Sequence, residues 1–442
     1  GHSHDGHSHG EDLNHDHSSH SHHEGEVIGQ PMGELVYVSA GDSNSRLTYK
    51  FDIFAAQPMS RAYIFVDAVS GEIVDVQDRI HDADVSATGT SLYNGTVNFL
   101  ADSNSGSFRL RQSTNGVETF DLNNGTNYGN ASDITSSSTS FTANSVHTGV
   151  QAHFGAEQTL EYFQTKHNRD SYDNQGATLR SYVSYSNDYV NAFWNGSFMT
   201  YGDGNGTSYN PLVSLDIVGH EITHGVTEYS AGLIYSYESG ALNESFSDIF
   251  GEAIENFALG SNDWLMGEDI GVNPGNALRS MSNPSAKGDP DTYLGSNWNG
   301  TSSDNGGVHT NSGVQNKWFY ILTEGEAGVN DNGQAYDVTG IGMTDAAEIA
   351  YRNLSVYLTT NSQYIDAREG AVQSAIDLFG VNSQQHLSTL AAWDAVGVGG
   401  SFEELTVFTG GGTGAGVNRS ILSGDVIGAG FPDTIAVDLD SN

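Results

Sequence analysis

His220-Glu221-Ile222-Thr223-His224 stands inside a run from Leu212 to Glu228 whose apolar residues recur at helical spacing. On a helix the two imidazoles lie one turn apart on the same face. Neutral imidazoles suit the borderline-soft zinc ion, and Glu221 stands beside them, within reach of a water on that metal. The five-residue pattern also occurs on ordinary surface helices, so a third ligand has to decide. Glu244 lies twenty residues after His224, within Ala241-Leu242-Asn243-Glu244-Ser245-Phe246-Ser247-Asp248. A second helix there, antiparallel to the first, carries Glu244 over the histidines. Asp248, one turn further on, is set to accept the free ring N–H of a ligand histidine. Two carboxylates on one face of an apolar helix need a metal or a cation to offset their desolvation.

Outward from this pair of helices, the texture divides the chain into residues 1–26, 27–83, 84–235, 236–399 and 400–442. Residues 1–26 hold nine of the seventeen histidines among Ser, Gly, Asp and Glu, with almost nothing apolar. Such a segment does not fold alone; it is a tail, or a loose site for zinc, copper or nickel. Residues 32–80 read as strands at Leu35-Val36-Tyr37-Val38, Leu47 to Phe51 and Ala62-Tyr63-Ile64-Phe65-Val66, with a turn at Ser70-Gly71 before Ile73-Val74. Residues 84–145 are rich in Gly, Ser, Asn and Thr with short strand-like runs, as in a β-rich lobe with many turns. From Val150 to Phe163 the period becomes helical, and 211–228, 241–257, 306–324, 344–360, 365–378 and 384–396 follow it. The class is therefore α+β. Residues 400–442 are Gly-rich, acidic and strand-like, a linker or the start of a further domain.

Composition narrows the chemistry. With 442 residues and no cysteine, the chain buries a large core and has no disulfide, thiol nucleophile or thiolate ligand. The 15 Lys+Arg against 55 Asp+Glu give a formal net charge of -40. That charge repels nucleic acid and anionic membranes and supplies oxygen ligands for calcium. No apolar run is long enough to span a membrane. The chain opens at Gly1 without a basic-then-apolar leader, which we read as a signal peptide already removed; extracellular secretion is the expectation.

Further blocks carry a resemblance. Asn191-Ala192-Phe193-Trp194-Asn195-Gly196, the run from His220 to Gly251, Leu278-Arg279-Ser280-Met281 and Asp304-Asn305-Gly306-Gly307-Val308-His309 resemble, in the same order, blocks of the thermolysin family of secreted zinc neutral metalloendopeptidases. The resemblance covers about residues 84–399. It implies a two-lobe peptidase, with a β-rich N-terminal lobe that includes the first ligand helix (84–235), a mainly helical C-terminal lobe (236–399) and a zinc cleft between them. It implies a monomer acting on protein and peptide substrates, cutting on the amino side of apolar residues.

The resemblance also implies roles. His220, His224 and Glu244 would ligate zinc, Glu221 would be the general base for a zinc-bound water, and Asp248 would orient His220. Tyr235 and His309, the latter held by Asp304, would stabilise the oxyanion. Asn191, the Ala192 carbonyl and Arg279 would hold the substrate backbone, with Ile217, Met266 and Leu278 lining the specificity pocket. Asp216, Glu255, Asp263 and Glu268, with the Ser261 and Leu265 carbonyls, would bind calcium. The loop from Gly271 to Ala277 is shorter than the family's tyrosine-containing calcium loop. Residues 27–83 resemble the end of the family's propeptide, a chaperone and inhibitor removed on activation, and Ile80 to Ala87 is the expected cleavage stretch.

Two other classes fit parts of the sequence. One is an inactive secreted metal-binding or adhesive protein using the histidine-rich head and Gly-rich tail. It would not need the full set of ligand, base and donor residues. The other is a zinc aminopeptidase, for which the sequence offers no clamp for a free amine.

Overall fold

The computed structural model describes residues 33–39, 45–56, 59–78, 84–104, 106–114, 116–273, 276–399 and three strands beyond residue 400. The histidine-rich segment 1–26 and the stretch 79–83 lie outside the described residues. The chain forms two compact units, Gly1–Asp82 and Ala83–Asn442.

In the first unit, β1 (Glu34–Ser39), β2 (Ser45–Ala56), β3 (Met59–Asp67) and β4 (Ile73–Asp78) make an antiparallel sheet in chain order. The last turn is set by Asp67, whose Oδ1 accepts from the N–H groups of Val69 (2.9 Å) and Ser70 (2.8 Å). Gly71 then takes φ 77°, a conformation glycine adopts without strain.

The second unit begins with short strands: β5 (Val85–Thr90), β6 (Thr96–Asn104), β7 (Ser107–Arg109), β8 (Arg111–Gln112), β9 (Val117–Asp121), β10 (Ser132–Asp133), β11 (Thr135–Ser136) and β12 (Ser140–Phe141). Then come α1 (His147–His167), β13 (Leu179–Tyr185), β14 (Ala192–Trp194) and β15 (Met199–Gly202). One sheet runs β11-β7-β6-β5-β12 and the other β10-β9-β13-β15-β14, with β8 added to β9. Residues of both sheets and of α1 share one core through Phe99, Val117, Val150 and Val183. Two largely buried titratable groups meet there: Glu157 on α1 accepts from the Leu100 N–H at 2.9 Å, and His153, one turn earlier, bonds the Leu100 carbonyl and Thr119 Oγ1, each at 3.0 Å.

The remainder is mainly helical: α2 (Leu215–Glu228), α3 (Tyr237–Leu259), α4 (Asp304–Asn311), α5 (Gly313–Glu324), α6 (Met343–Arg352), α7 (Tyr364–Phe379) and α8 (Gln384–Ala395). Two-stranded ribbons interrupt it, β16 (Leu265–Met266) with β17 (Arg279–Ser280) and β18 (Gly325–Val329) with β19 (Ala335–Thr339). Beyond 400, β20 (Phe408–Thr409), β21 (Arg419–Gly424) and β22 (Asp433–Asp438) pair antiparallel. The α+β expectation therefore holds. The Trp318 and Trp393 rings, both buried, stack at 4.6 Å and join α5 to α8. Among the described residues, no helix is long and apolar enough to cross a membrane.

Helix ends depart from the periodicity for local reasons. α2 starts at Leu215 and not at 211, because Pro211 and the extended Ser214 precede it. The stretch read as one helix over 306–324 is two, because Asn305, Gly306 and Gly307 take left-handed angles before α5 begins. Over 344–360 the α-helix ends at Arg352 and passes into a π turn, Asn353–Tyr357.

Candidate active site

The first requirement of the site is that α2 and α3 lie close together. Glycines allow it: a β-carbon on Gly219 would lie 3.2 Å from the Gly251 Cα, and one on Gly251 would lie 2.7 Å from the Asp216 carbonyl oxygen. The two backbones therefore nearly touch, and Glu244 on α3 is carried over His220 and His224 on α2.

The ring nitrogens are sorted by their partners. His220 Nδ1 donates to Asp248 Oδ1 at 2.8 Å, and His224 Nδ1 donates to Asn243 Oδ1 at 2.8 Å. Both Nε2 atoms are left as lone-pair donors to a metal, and they face each other at 3.0 Å. Glu244 lies 3.5 Å from His220 Nε2 and 3.4 Å from His224 Nε2. Its Oε2 is buried without a hydrogen-bond partner. Two lone pairs and an unpartnered buried carboxylate oxygen converge on one point, a donor set that needs a cation and fits zinc.

The surroundings fix these groups electrically. Burial alone would raise the Glu244 carboxyl, but His224, His220 and His309 around it hold it near 2. Asp248 is fully bonded, taking Arg279 Nε at 2.7 Å and Asn316 Nδ2 at 2.8 Å besides the histidine. Burial works against its charge, yet the Arg279 guanidinium and His220 keep it well below the ordinary range. Glu221, pointing into the same space, is pushed up to about 7 by burial, against the pull of His224 and with a further push from Glu244.

Two more groups close on Glu244 from the open side. The Tyr235 hydroxyl donates to Glu244 Oε1 and lies 3.0 Å from His309 Nε2. Asp304 holds His309 twice, accepting from its Nδ1 at 2.6 Å and its backbone N–H at 2.9 Å. This two-point grip depends on the left-handed turn, since Asp304, Asn305, Gly306 and Gly307 all have positive φ.

A cleft of about 730 Å³ runs past these groups. Its floor is α2, and one side is β14, the last strand of its sheet. The Asn191 carbonyl accepts from Gly202 N–H, so by strand alternation the Ala192 carbonyl faces the open edge. Ile217, Met266 and Leu278 lie together in the cleft wall, beside Leu212 and Arg279. The residues singled out for zinc, for catalysis and for substrate thus meet in one place, apart from Asp304 and Asp248, which stand behind it.

The acidic residues form a second group further along the pair, at the start of α2 and in the C-terminal part of α3. Glu252, Glu255 and Asp263 can share one ion, and so can Glu255, Glu268 and Asp269. Asp216 Oδ1, Glu252 Oε1, Glu255 Oε2 and Glu268 Oε2 are buried without partners. Burial first, and then the neighbouring carboxylates, push Glu255 and Glu268 up to about 9, and burial raises Asp216 against the hydrogen bonds it accepts. Asp263 is exposed, and its Oδ1 accepts from the Leu265 N–H; Ser261 lies in the loop after α3.

Sequence reasoning missed Glu252, Asp269, Asn243 and Asn316. Glu252 had a signal, being one turn before Glu255 on an apolar helix, and Asp269 adjoins Glu268. Asn243 adjoins Glu244. Asn316 is far away in the chain and had none.

Known proteins share this arrangement over most of the chain. Residues 86–228 match the model of the thermolysin metallopeptidase catalytic domain, and residues 231–398 that of the thermolysin metallopeptidase alpha-helical domain. Bacillolysin of Brevibacillus brevis is 44% identical over 389 residues, 85% of this chain and 70% of that protein. Thermolysin of Alicyclobacillus acidocaldarius is 39% identical over 390 residues, 84% of this chain and 69% of that protein. The solved precursor of protealysin, a metalloproteinase from Serratia proteamaculans, superposes with a TM-score of 0.55 at 32% identity, over 64% of this chain and 87% of that one. Since the matched segments run through every residue of the cleft, the chain belongs to the thermolysin family and is a zinc metalloendopeptidase.

Proposed function

We propose that the enzyme cuts proteins and peptides on the amino side of apolar residues, with Glu221 as general base. The observation that carries this reading is the pair of facing Nε2 atoms beside Glu221, at the floor of a cleft with an apolar wall. Zinc, held by His220, His224 and Glu244, supplies Lewis acidity toward the scissile carbonyl and the attacking water. Glu221 takes the proton of that water and hands it to the departing amine. The Tyr235 hydroxyl and His309 Nε2 donate to the oxygen that gains charge, and Asp304 keeps the His309 ring turned toward it. Asp248 orients His220. The Ala192 carbonyl, Asn191 and Arg279 hold the substrate backbone. Ile217, Met266 and Leu278 receive the side chain that follows the cut. An apolar pocket separates Leu, Phe, Ile and Val only weakly, yet it rejects a charge that would be buried unpaired. The test is mass mapping of cuts in a denatured protein, with and without a zinc chelator. Cuts mainly before Asp, Lys or Arg would overturn the specificity.

Calcium fits the second acidic group. Four unpartnered buried carboxylate oxygens suit a hard cation with oxygen ligands, from Asp216, Glu252, Glu255 and Glu268, with Asp263 and the Ser261 and Leu265 carbonyls completing the set. The strands β1 to β4 are the end of a propeptide, residues 27–83, removed when the secreted enzyme matures. Supporting this are the Ala62–Val74 motif and the similarity to a protein whose name marks it as a precursor. Residues 84–235 and 236–399 are the two lobes, and 400–442 is a linker or the start of a further domain.

A further inference from the structure

The sheet that ends in β14 has one face packed in the core and one turned outward. On β13 the pattern is regular: Leu179, Ser181 and Val183 are buried, while Arg180 and Tyr182 face away. Such an outer face is ordinarily polar. Here it carries a continuous strip of half-buried aromatic rings that begins inside the cleft.

Phe193, on the cleft-side strand β14, lines the cleft and meets Tyr185 edge-on at 5.8 Å. Tyr185 stacks on Tyr128 at 6.1 Å, and Tyr128 touches Tyr182 at 5.0 Å and Phe198 at 4.8 Å. Tyr182 stacks on its cross-strand partner Phe120 at 5.3 Å, with the Arg111 guanidinium 4.7 Å above the Phe120 ring. These residues come from four separate segments of the chain, and none is needed for the catalytic groups.

We propose that this strip is an exosite for the unfolded polypeptide substrate beyond the cleft, so that long chains bind more tightly than short peptides. The proposal rests on the reading of the cleft as the peptidase site. Continuity argues for this occupant, because Phe193 belongs to both surfaces and β14 leaves one edge open where an extended chain lies. The chemistry agrees. An unfolded chain offers the apolar and proline side chains that ring faces take up, and tyrosine rings are rigid, so ordering them costs little entropy. At about 3.3 Å per extended residue, side chains on one face recur about every 6.6 Å, close to the 5–6 Å steps between rings, so alternate side chains each have a ring to meet.

The test compares two substrates: a blocked dipeptide amide that spans only the scissile bond, and a carboxymethylated, unfolded protein. Replacing Tyr182→Ser and Phe198→Ser together should raise KM for the unfolded protein about tenfold and leave kcat/KM for the dipeptide within twofold. Unchanged KM for the long chain, or a parallel loss on both substrates, would overturn the exosite. Loss of binding to an insoluble polysaccharide with KM unchanged would likewise overturn it, in favour of a carbohydrate platform. If the double variant does not fold, Tyr185→Ser alone is read in the same way. A parent enzyme that cuts neither substrate when loaded with zinc overturns the peptidase reading itself, a result distinct from all of these.

Discussion

The ring of Tyr237 lies against Gly306, so near that a β-carbon there would sit 2.5 Å from Tyr237 Cδ1. Tyr237 itself has φ 50°, and Gly306 across the gap has φ 93°. Two left-handed pieces of backbone thus fit into one another, and the second of them sets Asp304 behind His309, which faces the cleft.

Gly306→Ala should therefore lower kcat roughly ten- to hundredfold, up to the lower end of the roughly hundred- to thousandfold lost when an oxyanion donor is removed outright. The left-handed alanine costs about 1–2 kcal/mol of stability, and zinc content should not change. Adding Tyr237→Gly removes the clash and should restore part of the activity. Full activity in Gly306→Ala would show that the turn does not govern His309.

Glu221→Gln should keep zinc bound and lose nearly all peptidase activity, since the amide deletes the proton acceptor and leaves all three ligands. The measurement is turnover normalised to zinc content. Substantial turnover at full zinc occupancy would mean another base acts.

Calcium should stabilise this inactive variant, which cannot digest itself. Its melting temperature should climb with free calcium from micromolar to millimolar, following the logarithm of concentration, while zinc stays bound. Asp216, Glu255 and Glu268 repel one another without the ion, which is why opening becomes easier. A melting temperature indifferent to calcium removes the assignment.

Glu157 gives stability a pH dependence. Burial pushes its carboxyl from the ordinary 4.5 up to about 8 in the folded chain. The folded state therefore favours the protonated acid. That contribution is complete below about pH 4.5 and is lost as pH rises through 8. Glu157→Gln keeps the shape and cannot ionise, so the variant should gain stability relative to the parent between pH 6 and pH 9. Denaturant unfolding at the two pH values, in the Glu221→Gln background with calcium, reads the difference. An equal gap at both would show that Glu157 ionises freely.

Maturation should leave Asp84 in the enzyme. Its carboxylate accepts from Ser113 N–H and Thr114 N–H, each at 2.7 Å, and from both hydroxyls. Val85, Ser86 and Ala87 pair with Ala101, Leu100 and Phe99, so the later part of the expected stretch Ile80 to Ala87 is strand and not an open protease substrate. The mature N-terminus, mapped by mass spectrometry, should lie at or before Asp84. The Glu221→Gln protein incubated alone should stay uncut if the reaction is autocatalytic. A terminus mapped after Asp84 would overturn this boundary.

The sequence made the zinc groups legible because a metal demands fixed residue types at fixed helical spacings. His220, His224, Glu244 and Asp248 could be read that way from two segments alone. What could not be read was contact between distant segments. Asn316 reaches Asp248 across 68 positions, and the approach of α2 to α3 rests on Gly219 and Gly251, which look like weak helix formers until they meet. The left-handed turn was also hidden. Gly306-Gly307 hints at a break, but Asp304 and Asn305 before them take positive φ as well, in a turn that packs on the distant Tyr237 ring. The ribbon of β18 and β19 went unnoticed, although Asn330-Asp331-Asn332-Gly333 is a turn sequence.

The short ribbon of β16 and β17 belongs to both metal neighbourhoods. Met266 pairs with Arg279, and the Leu278 N–H donates to the Met266 carbonyl at 2.7 Å, so the apolar wall is built on this ribbon. Asp263 stands just before it and Glu268 just after Met266, while Gly267 N–H donates to Asp216. A cation gripping those carboxylates and a side chain filling the wall therefore act on the same few backbone atoms. Thermodynamic reciprocity then applies: whatever factor calcium adds to inhibitor affinity, the inhibitor must add to calcium affinity. With calcium in the acidic group and a side chain in the wall, the grip on substrate would then vary with the hardness of the surrounding water.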